Sequence, residues 1–119
     1  MIDTNLADLR KTYSKMELTE RSVSADPFQQ FGKWMNEALG ADVPEPTAMT
    51  LGTASGEGRP SSRVVLLKGF DQSGFVFYTN YKSRKGRDLA ENPYAAMHFF
   101  WPELERQIDI SGKVELASA

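Results

Sequence analysis

The sequence contains no cysteine and a single histidine, and the lack of cysteine excludes several classes of site. Without cysteine the chain cannot form a disulfide, a thiolate metal site or a cysteine nucleophile. The sequence also lacks an apolar run of the roughly 20 residues that a membrane-spanning helix needs. Its N-terminal residues contain no continuous apolar segment of the kind found in a secretory signal. These absences predict a soluble, cytoplasmic protein with no membrane contact.

A strong excess of charge of either sign is absent as well. The net charge is −2, from 14 basic and 16 acidic residues, and the isoelectric point is about 5.4. This balance gives no general attraction to polyanions, so no nucleic-acid partner is predicted. The length of 119 residues is typical of one domain around a single hydrophobic core.

The best-marked helix begins near residue 27. Asp26 is typical of an N-cap and Pro27 of the first helical position, while Gly40 supplies an end. Between them, apolar residues recur at spacings of three and four, which predicts one face packed onto the rest of the protein. These residues are Phe28, Phe31, Met35 and Leu39.

From residue 47 onward the sequence has the features of short β-strands separated by tight turns. The glycines of "SGEGRP" and "DQSG" suit hairpin loops. One short helix interrupts the strands, with Ser83 as its predicted N-cap and an end before Pro93. Close strand spacing with a single helical insertion predicts an antiparallel barrel rather than a parallel sheet. The predicted strands are "TAMTLGTA" (47–54), "SSRVVLLKGF" (61–70), "FVFYTN" (75–80), "YAAMHFFW" (94–101) and "RQIDISGKVEL" (106–116).

The second and third of these strands are apolar at consecutive positions, so both of their faces are expected to be covered. One cover is the barrel core, and the other is a helix, a partner subunit or a flat ligand. Arg63 and Lys68 are the positive charges on the second strand. Positions five apart in a regular strand face opposite sides. Arg63 and Lys68 can therefore line one pocket only if a bulge or a twist lies between them.

A basic cluster follows the third strand, with Lys82, Arg84, Lys85 and Arg87 within six positions. Ser83, Arg84 and Lys85 fall in the first turn of the predicted short helix, where free backbone N–H groups and the helix dipole favour an anion. Positive side chains at this end oppose the dipole. A bound phosphate would remove the conflict by sharing both sets of donors. A solvated surface helix explains the same residues without a ligand, and the residues alone leave both interpretations open.

Several segments, taken in order, resemble the pyridoxine/pyridoxamine 5'-phosphate oxidase family. They are "LRKTY", "DPFQQFGKWMNEAL", "EPTAMTLGTAS", "RVVLLKGFDQSGFVFYTNYKSRKGRDLAENP" and "FFWPELERQIDISGKVE". The resemblance covers nearly the whole chain. It implies an FMN-binding split β-barrel, mainly β with flanking helices. It also implies an FMN-dependent homodimeric enzyme that uses oxygen to convert pyridoxine 5'-phosphate or pyridoxamine 5'-phosphate to pyridoxal 5'-phosphate.

The resemblance also assigns residues to the cofactor. Arg63, Arg84 and Lys85 are expected to neutralise the FMN phosphate, with the Thr79 hydroxyl beside them, and Gln107 is expected at the polar edge of the ring. The segment from Val64 to Leu67 is expected to meet the flavin through backbone groups and flat apolar surface. The implied FMN contacts are Arg63, Val64, Val65, Leu66, Leu67, Lys68, Tyr78, Thr79, Arg84, Lys85 and Gln107.

For the substrate, the resemblance implies contact from Lys68 to its phosphate and from an N-terminal arm. The arm residues are Arg10, Lys11, Thr12 and Tyr13. No catalytic side chain is predicted, because the flavin itself accepts the hydride. His98, within "AAMHFFW", is predicted to be a packed strand residue, and Trp34 and Trp101 are predicted to be packing residues.

The chain departs from the family in length. Family members are longer, and the rest of the barrel with a C-terminal "R-x-H" substrate motif has no counterpart here. We therefore predict a barrel truncated at its C-terminus and impaired activity in the short chain. Residues 1–24 are expected to be an arm and linker, and residues 25–119 a helix plus a partial FMN-binding barrel. The alternative is a non-catalytic FMN-binding or flavin-reductase split-barrel protein, although "L-E-R-Q" and "R-K-T-Y" argue against it.

Overall fold

A computed structural model describes residues 18–116, which form two α-helices and five β-strands. A short 3-10 turn at Pro102–Leu104 joins the last two strands. None of the helices among the described residues is long and apolar enough to cross a bilayer. In chain order the elements are α1 (Pro27–Gly40), β1 (Ala48–Ala54), β2 (Pro60–Asp71), β3 (Gly74–Phe77), α2 (Arg84–Glu91), β4 (Tyr94–Trp101) and β5 (Arg106–Lys113).

The strands form one antiparallel sheet in the order β3-β2-β1-β4-β5. This arrangement confirms the prediction of a mainly antiparallel β fold with flanking helices. The sheet is curled into a half-barrel over the described residues rather than closed. Its two faces differ, because alternate side chains point to opposite sides of each strand.

The core lies on the inner face of the sheet, under α1. In β1 and β4, alternate residues are buried and those between them are more exposed. The indole nitrogen of Trp101 donates a hydrogen bond to the carbonyl oxygen of Pro46 at 3.0 Å, so this buried ring has no unmet polar group. The most deeply buried large side chains are Trp101, Phe99, Met49 and Leu51.

Helix α1 begins and ends where the sequence predicts. The Asp26 side chain accepts from the backbone N–H of Phe28 at 2.9 Å, which confirms the N-cap. Phe31 meets the rings of Phe70, Phe75 and Phe99 at centroid distances of 4.8 to 5.4 Å. These contacts fix the helix across the middle of the inner face.

The predicted inward position of Leu39 is wrong. Leu39 is 59% exposed, and Ala38 is fully buried in its place. At about 100° per residue, Ala38 returns to within about 20° of Phe31 around the helix, whereas Leu39 lies about 80° away. The face of the helix that meets the sheet is therefore centred on Phe31, Met35 and Ala38.

Two strands end earlier than predicted. β3 ends at Phe77 rather than Asn80 because Asn80 forms a turn. Its side chain accepts from Lys82 N at 2.9 Å, and its carbonyl accepts from Ser83 N at 3.0 Å. β5 ends at Lys113 because its partner β4 begins directly opposite, at Tyr94.

Candidate functional site

The N-terminus of α2 is built by local hydrogen bonds and one close approach. Ser83 caps the helix by accepting from Gly86 N at 3.2 Å, and its hydroxyl donates to Asn80 O at 2.6 Å. A Cβ on Gly86 would lie 2.5 Å from Asn80 O and 2.7 Å from Tyr81 Cα. Only glycine therefore lets the helix start so close to the preceding turn. The predicted N-cap is confirmed, and Arg84 and Lys85 occupy the first turn.

One turn further along α2, Asp88 lies buried beneath the helix with only 4% of its surface exposed. Its Oδ2 accepts from the hydroxyls of Thr53 on β1, at 3.0 Å, and of Ser61 on β2, at 3.1 Å. Arg84 Nε lies 3.9 Å from the same oxygen. A buried carboxylate is costly unless it is paired and hydrogen-bonded, and Asp88 is both.

Arg63 reaches the same cluster from β2. Its Nη1 donates to Leu51 O at 3.0 Å and to Thr53 Oγ1 at 2.9 Å, and its Nη2 donates to Ser61 Oγ at 2.7 Å. We call the set Thr53, Ser61, Arg63, Arg84 and Asp88 the Asp88 network. It brings together two of the cations that the sequence assigns to a phosphate, from different elements of the fold.

The geometry leaves one edge of the Arg63 guanidinium open. The group carries five N–H donors in a plane, and the described residues engage three of them. The two that remain are Nε–H and the second N–H of Nη2. Because Thr53 and Ser61 occupy the edge shared by Nη1 and Nη2, these two lie side by side. Paired donors of this kind match a phosphate or carboxylate.

Thr79 adds a further sign of a ligand. Its Oγ1 is buried and has no hydrogen-bond partner among the described residues. Buried hydroxyls are nearly always paired, because leaving one unpaired costs about 1 to 3 kcal/mol. Thr79 lies just before the turn that leads to Ser83 and α2. The orphan hydroxyl, the open edge of Arg63 and the free N–H groups of the first helical turn all suit an oxyanion such as phosphate.

The apolar segment of β2 divides between the two faces. Val64 and Leu66 are 67% and 43% exposed on the outer face, whereas Leu67 is buried and Val65 packs against the core. The side chains of Val65 and Leu67 are thus directed away from any ligand on the outer face.

The backbone of this segment has an open side. β3 pairs only with Leu67 to Asp71, so within the described chain residues 60–66 of β2 have a strand partner only in β1. Leu67 N donates to Thr47 O of the β1 side at 2.9 Å. Backbone groups alternate in direction along an antiparallel strand, so those of Val64 and Leu66 point away from β1. Exposed apolar side chains beside unpaired backbone groups suit a flat ring with a polar edge.

A register shift between Leu67 and Gly69 places a bulge at Lys68. This is the irregularity required for Arg63 and Lys68 to approach one site. Lys68 Nζ lies 5.9 Å from the centre of the Tyr78 ring, and both residues are exposed. Lys68 points toward Tyr78 rather than into the Asp88 network.

Other predicted residues are more scattered. Gln107 is exposed on β5, opposite Phe100, and two strands separate β5 from β2. At about 4.8 Å per strand, that places Gln107 about 14 Å from β2. Lys85 is partly buried at the start of α2. The arm residues Arg10, Lys11, Thr12 and Tyr13 lie outside the described residues.

His98 is not packed in the core as predicted. The alternation of β4 buries Met97 and Phe99, so His98 faces outward, where its Nδ1 lies 2.6 Å from Asp109 Oδ1 on β5. Trp101 is a core residue, as predicted. Trp34 packs at the edge of the core, with the Arg106 guanidinium 4.6 Å from its ring centre.

Sequence reasoning missed three members of the Asp88 network, namely Thr53, Ser61 and Asp88. One signal was available: Asp88 stands four residues after Arg84 within a basic helix, a spacing that places the two side chains together. Its burial against two strands was not readable from that spacing. An open depression of about 750 Å³ has Thr53 and Ser61 in its wall, but Arg63, Arg84 and Lys85 do not line it.

Comparison with known sequences gives a consistent result. The family model described as pyridoxamine 5'-phosphate oxidase matches residues 35–119. Proteins named pyridoxine/pyridoxamine 5'-phosphate oxidase include one from Burkholderia multivorans, 60% identical over 116 residues, and one from Trichormus variabilis, 56% identical over 117 residues. Both alignments cover 98% of this chain, but 54% and 55% of those proteins. The chain thus spans about half the length of the curated relatives it matches.

Solved structures with the same fold include PhzG from Burkholderia lata in complex with tetrahydrophenazine-1-carboxylic acid. The TM-score is 0.78 at 37% identity, over 83% of this chain and 50% of that one. A pyridoxamine 5'-phosphate oxidase-related, FMN-binding protein from Nostoc punctiforme aligns with a TM-score of 0.64 at 22% identity, over 76% of this chain and 48% of that one. HutZ, a heme storage protein from Vibrio cholerae, aligns with a TM-score of 0.55 at 19% identity, over 76% of this chain and 66% of that one. The last two likenesses bear on the fold alone.

Proposed function

Because the chain belongs to the pyridoxamine 5'-phosphate oxidase family, we propose that it binds FMN and serves the oxidation of pyridoxine 5'-phosphate or pyridoxamine 5'-phosphate to pyridoxal 5'-phosphate by oxygen. The observation that carries the proposal is that Arg84 lies directly beside Asp88, while Arg63 reaches the same carboxylate through the hydroxyls of Thr53 and Ser61, one turn from the start of α2. Such a pair of cations at a helix N-terminus suits a phosphate ester.

In this proposal the phosphate of FMN lies at the start of α2. Arg63 donates from its open Nε and Nη2 edge, and Arg84 and Lys85 add positive charge from the helix. Thr79 Oγ1, which is buried without a partner among the described residues, donates to a phosphate oxygen. The first-turn N–H groups contribute further donors. These contacts favour FMN over riboflavin, which has no phosphate.

The flavin ring lies against β2. Val64 and Leu66 offer exposed apolar surface, and their outward backbone groups can bond the polar edge of the ring. Val65, Leu67 and Lys68 of the same strand stay among the proposed contacts, while the backbone N–H and C=O groups of Val65 and Leu67 point toward β1. Tyr78 and Gln107 flank this surface as further proposed contacts. Bound FMN supplies the hydride acceptor, which removes the need for an acid–base pair of side chains.

For the substrate, the proposal keeps Lys68 as a partner of its phosphate, because this exposed ammonium lies on the bulge between β2 and β3. A contribution from Arg10, Lys11, Thr12 and Tyr13 remains part of the proposal. We also propose a homodimer, since large apolar side chains remain exposed on the outer face and a second copy would cover them. They include Tyr94 and Phe100 on β4.

A second candidate uses the same flavin site for a different substrate. The structural likeness to PhzG, with 37% identity and a bound tetrahydrophenazine-1-carboxylic acid, favours oxidation of a reduced polycyclic aromatic acid. The higher identity to the named pyridoxine/pyridoxamine 5'-phosphate oxidases, 56 to 60%, favours the first candidate.

Two measurements test the proposal. In a fluorescence titration of the chain, FMN should bind at least about tenfold more tightly than riboflavin, as expected for charged hydrogen bonds to phosphate. Equal affinities would contradict the phosphate site.

With FMN in excess and oxygen excluded, pyridoxamine 5'-phosphate should bleach the visible flavin absorbance, slowly because the short chain is expected to have impaired activity, whereas unphosphorylated pyridoxamine should not. Admitting oxygen should restore the absorbance, with pyridoxal 5'-phosphate formed in the same amount. Bleaching by tetrahydrophenazine-1-carboxylic acid but not by pyridoxamine 5'-phosphate would favour the second candidate.

A further inference from the structure

We propose that Asp88 is a positioning residue that holds Arg63 in the orientation needed for the FMN phosphate, acting through the hydroxyls of Thr53 and Ser61. This inference rests on the proposed FMN function. Neither the basic cluster nor the family resemblance pointed to these three residues. The positioning depends on the direction of each hydrogen bond in the Asp88 network.

The directions follow from the donor and acceptor chemistry. A guanidinium can only donate, so Arg63 must donate to the oxygens of Thr53 and Ser61. An ionised carboxylate can only accept, so each hydroxyl must give its single proton to Asp88 Oδ2. Asp88 thereby turns the hydroxyl lone pairs toward Arg63. Without it, either hydroxyl could rotate and present a proton to the guanidinium instead.

The consequence lies at the opposite edge of Arg63. Anchoring Nη1 and Nη2 to two hydroxyls that are 3.4 Å apart fixes the plane of the guanidinium. Nε–H and the remaining Nη2–H then keep one direction before any ligand arrives. Preorganised donors bind more tightly because little side-chain entropy is lost on binding.

Asp88 also acts on Arg84, but weakly. The 3.9 Å approach and the 52% exposure of the Arg84 side chain leave that guanidinium free to turn toward a ligand. Arg63 is the fixed member of the pair and Arg84 the adjustable one. The two arginines thus share a carboxylate in different ways.

Whether Asp88→Asn tightens or weakens FMN binding distinguishes a positioning role from a purely electrostatic one. Asp88 is an anion close to the site proposed for another anion. If it acted only by repulsion, Asp88→Asn would tighten FMN binding. If it positions Arg63, the same change should weaken FMN binding by about tenfold, in line with the strength of hydrogen bonds to charged groups.

Thr53→Val tests the relay without changing any charge. It removes the hydroxyl between Arg63 and Asp88 while keeping the shape of the buried side chain. FMN binding should again weaken by about tenfold. Thr53→Ser, which restores a hydroxyl, should recover most of the lost affinity. The double variant of Asp88→Asn and Thr53→Val should be little worse than either single one, since both break the same path.

The experiment is a fluorescence titration of the 119-residue chain and each variant with FMN and with riboflavin. Asp42→Asn is the matched control, because Asp42 is an exposed carboxylate outside the network and its loss changes the net charge equally. The expected result is a rise in the FMN dissociation constant alone. Thermal unfolding identifies any variant that fails to fold. If Asp88→Asn fails, the comparison of Thr53→Val with Thr53→Ser tests the positioning role.

The outcomes separate two failures. If the parent chain binds FMN and riboflavin equally, the proposed phosphate site is wrong. If the parent chain prefers FMN but Asp88→Asn or Thr53→Val leaves FMN binding unchanged or makes it tighter, the positioning role is wrong. A parallel loss of both ligands would mean general damage to the fold, and that result would also overturn the positioning role.

Discussion

At the scale of single residues, the basic cluster after β3 is not uniform. Arg84 approaches the buried Asp88 carboxylate and Lys85 is partly buried, whereas Lys82 and Arg87 are exposed. Four like charges close together therefore divide into a pair at the helix start and a pair in solvent. Only the first pair can combine side-chain charge with the N–H groups of the helix.

Replacing Arg84 and Lys85 together with alanine should weaken FMN binding by about 2 to 4 kcal/mol, because each loses a hydrogen bond to a charged group and the two losses overlap. Riboflavin binding should barely change. Isothermal titration with each ligand measures both effects. The double change of Lys82 and Arg87 to alanine removes the same charge and is the control. An equal loss in the control would assign the effect to long-range attraction alone.

At the scale of elements, the position of α2 depends on how closely its first turn meets the preceding loop. Gly86 is the point of closest approach, since a Cβ there would lie within 2.7 Å of backbone atoms of Asn80 and Tyr81. Backbone cannot move aside as a flexible side chain can. The absence of a side chain at this residue therefore sets the distance between α2 and the end of β3.

Gly86→Ala should lower the free energy of unfolding by about 1 to 3 kcal/mol, the usual cost of forcing extra atoms into a packed site. It should also weaken FMN binding, because Arg84 and Lys85 move with the helix start. Gly40→Ala is the control: nothing lies within 4 Å of its Cβ position, so stability should change by less than about 0.5 kcal/mol. Chemical denaturation curves compare the two. Equal stability of both variants would contradict the close approach.

At the scale of the whole molecule, the sheet has one covered face and one open face. α1 covers the inner face, where the core residues meet. The outer face exposes Phe100 at 54% and Tyr94 at 60% on β4, and Val64 and Leu66 on β2, with β1 between the two strands. Among the described residues of one chain, Val64 and Leu66 on this face of β2 stay exposed, so their cover by a partner subunit or a flat ligand stays a prediction.

We predict that a second copy covers the outer face, so that sedimentation equilibrium at micromolar concentration in the presence of FMN gives a dimer. Phe100→Lys should shift the equilibrium toward monomer by at least about tenfold, because the interface would bury an unpaired charge. Leu18→Lys places the same charge at a similarly exposed residue outside the sheet and should leave the dimer intact. A monomeric parent chain under these conditions would contradict the prediction.

Features set by neighbouring residues were determined by the sequence alone. Asp26 and Ser83 cap their helices as predicted, and β4 has the predicted bounds. Capping needs only a short polar side chain and the N–H groups two or three residues later. The family likeness, and with it the fold class and the candidate FMN residues, was also readable from motifs.

Which face a side chain occupies was decided only by the tertiary structure. Leu39 and His98 fit their local patterns, yet both lie outside the core because α1 and β4 are turned by contacts far along the chain. The Asp88 network depends on the same kind of contact, since Thr53 and Asp88 are 35 residues apart. Burial beneath a helix, and the pairing of a carboxylate with hydroxyls from two strands, result from packing of all three elements together. No local spacing in the sequence carries that information, because it arises from the register of the sheet and the docking of α2 upon it.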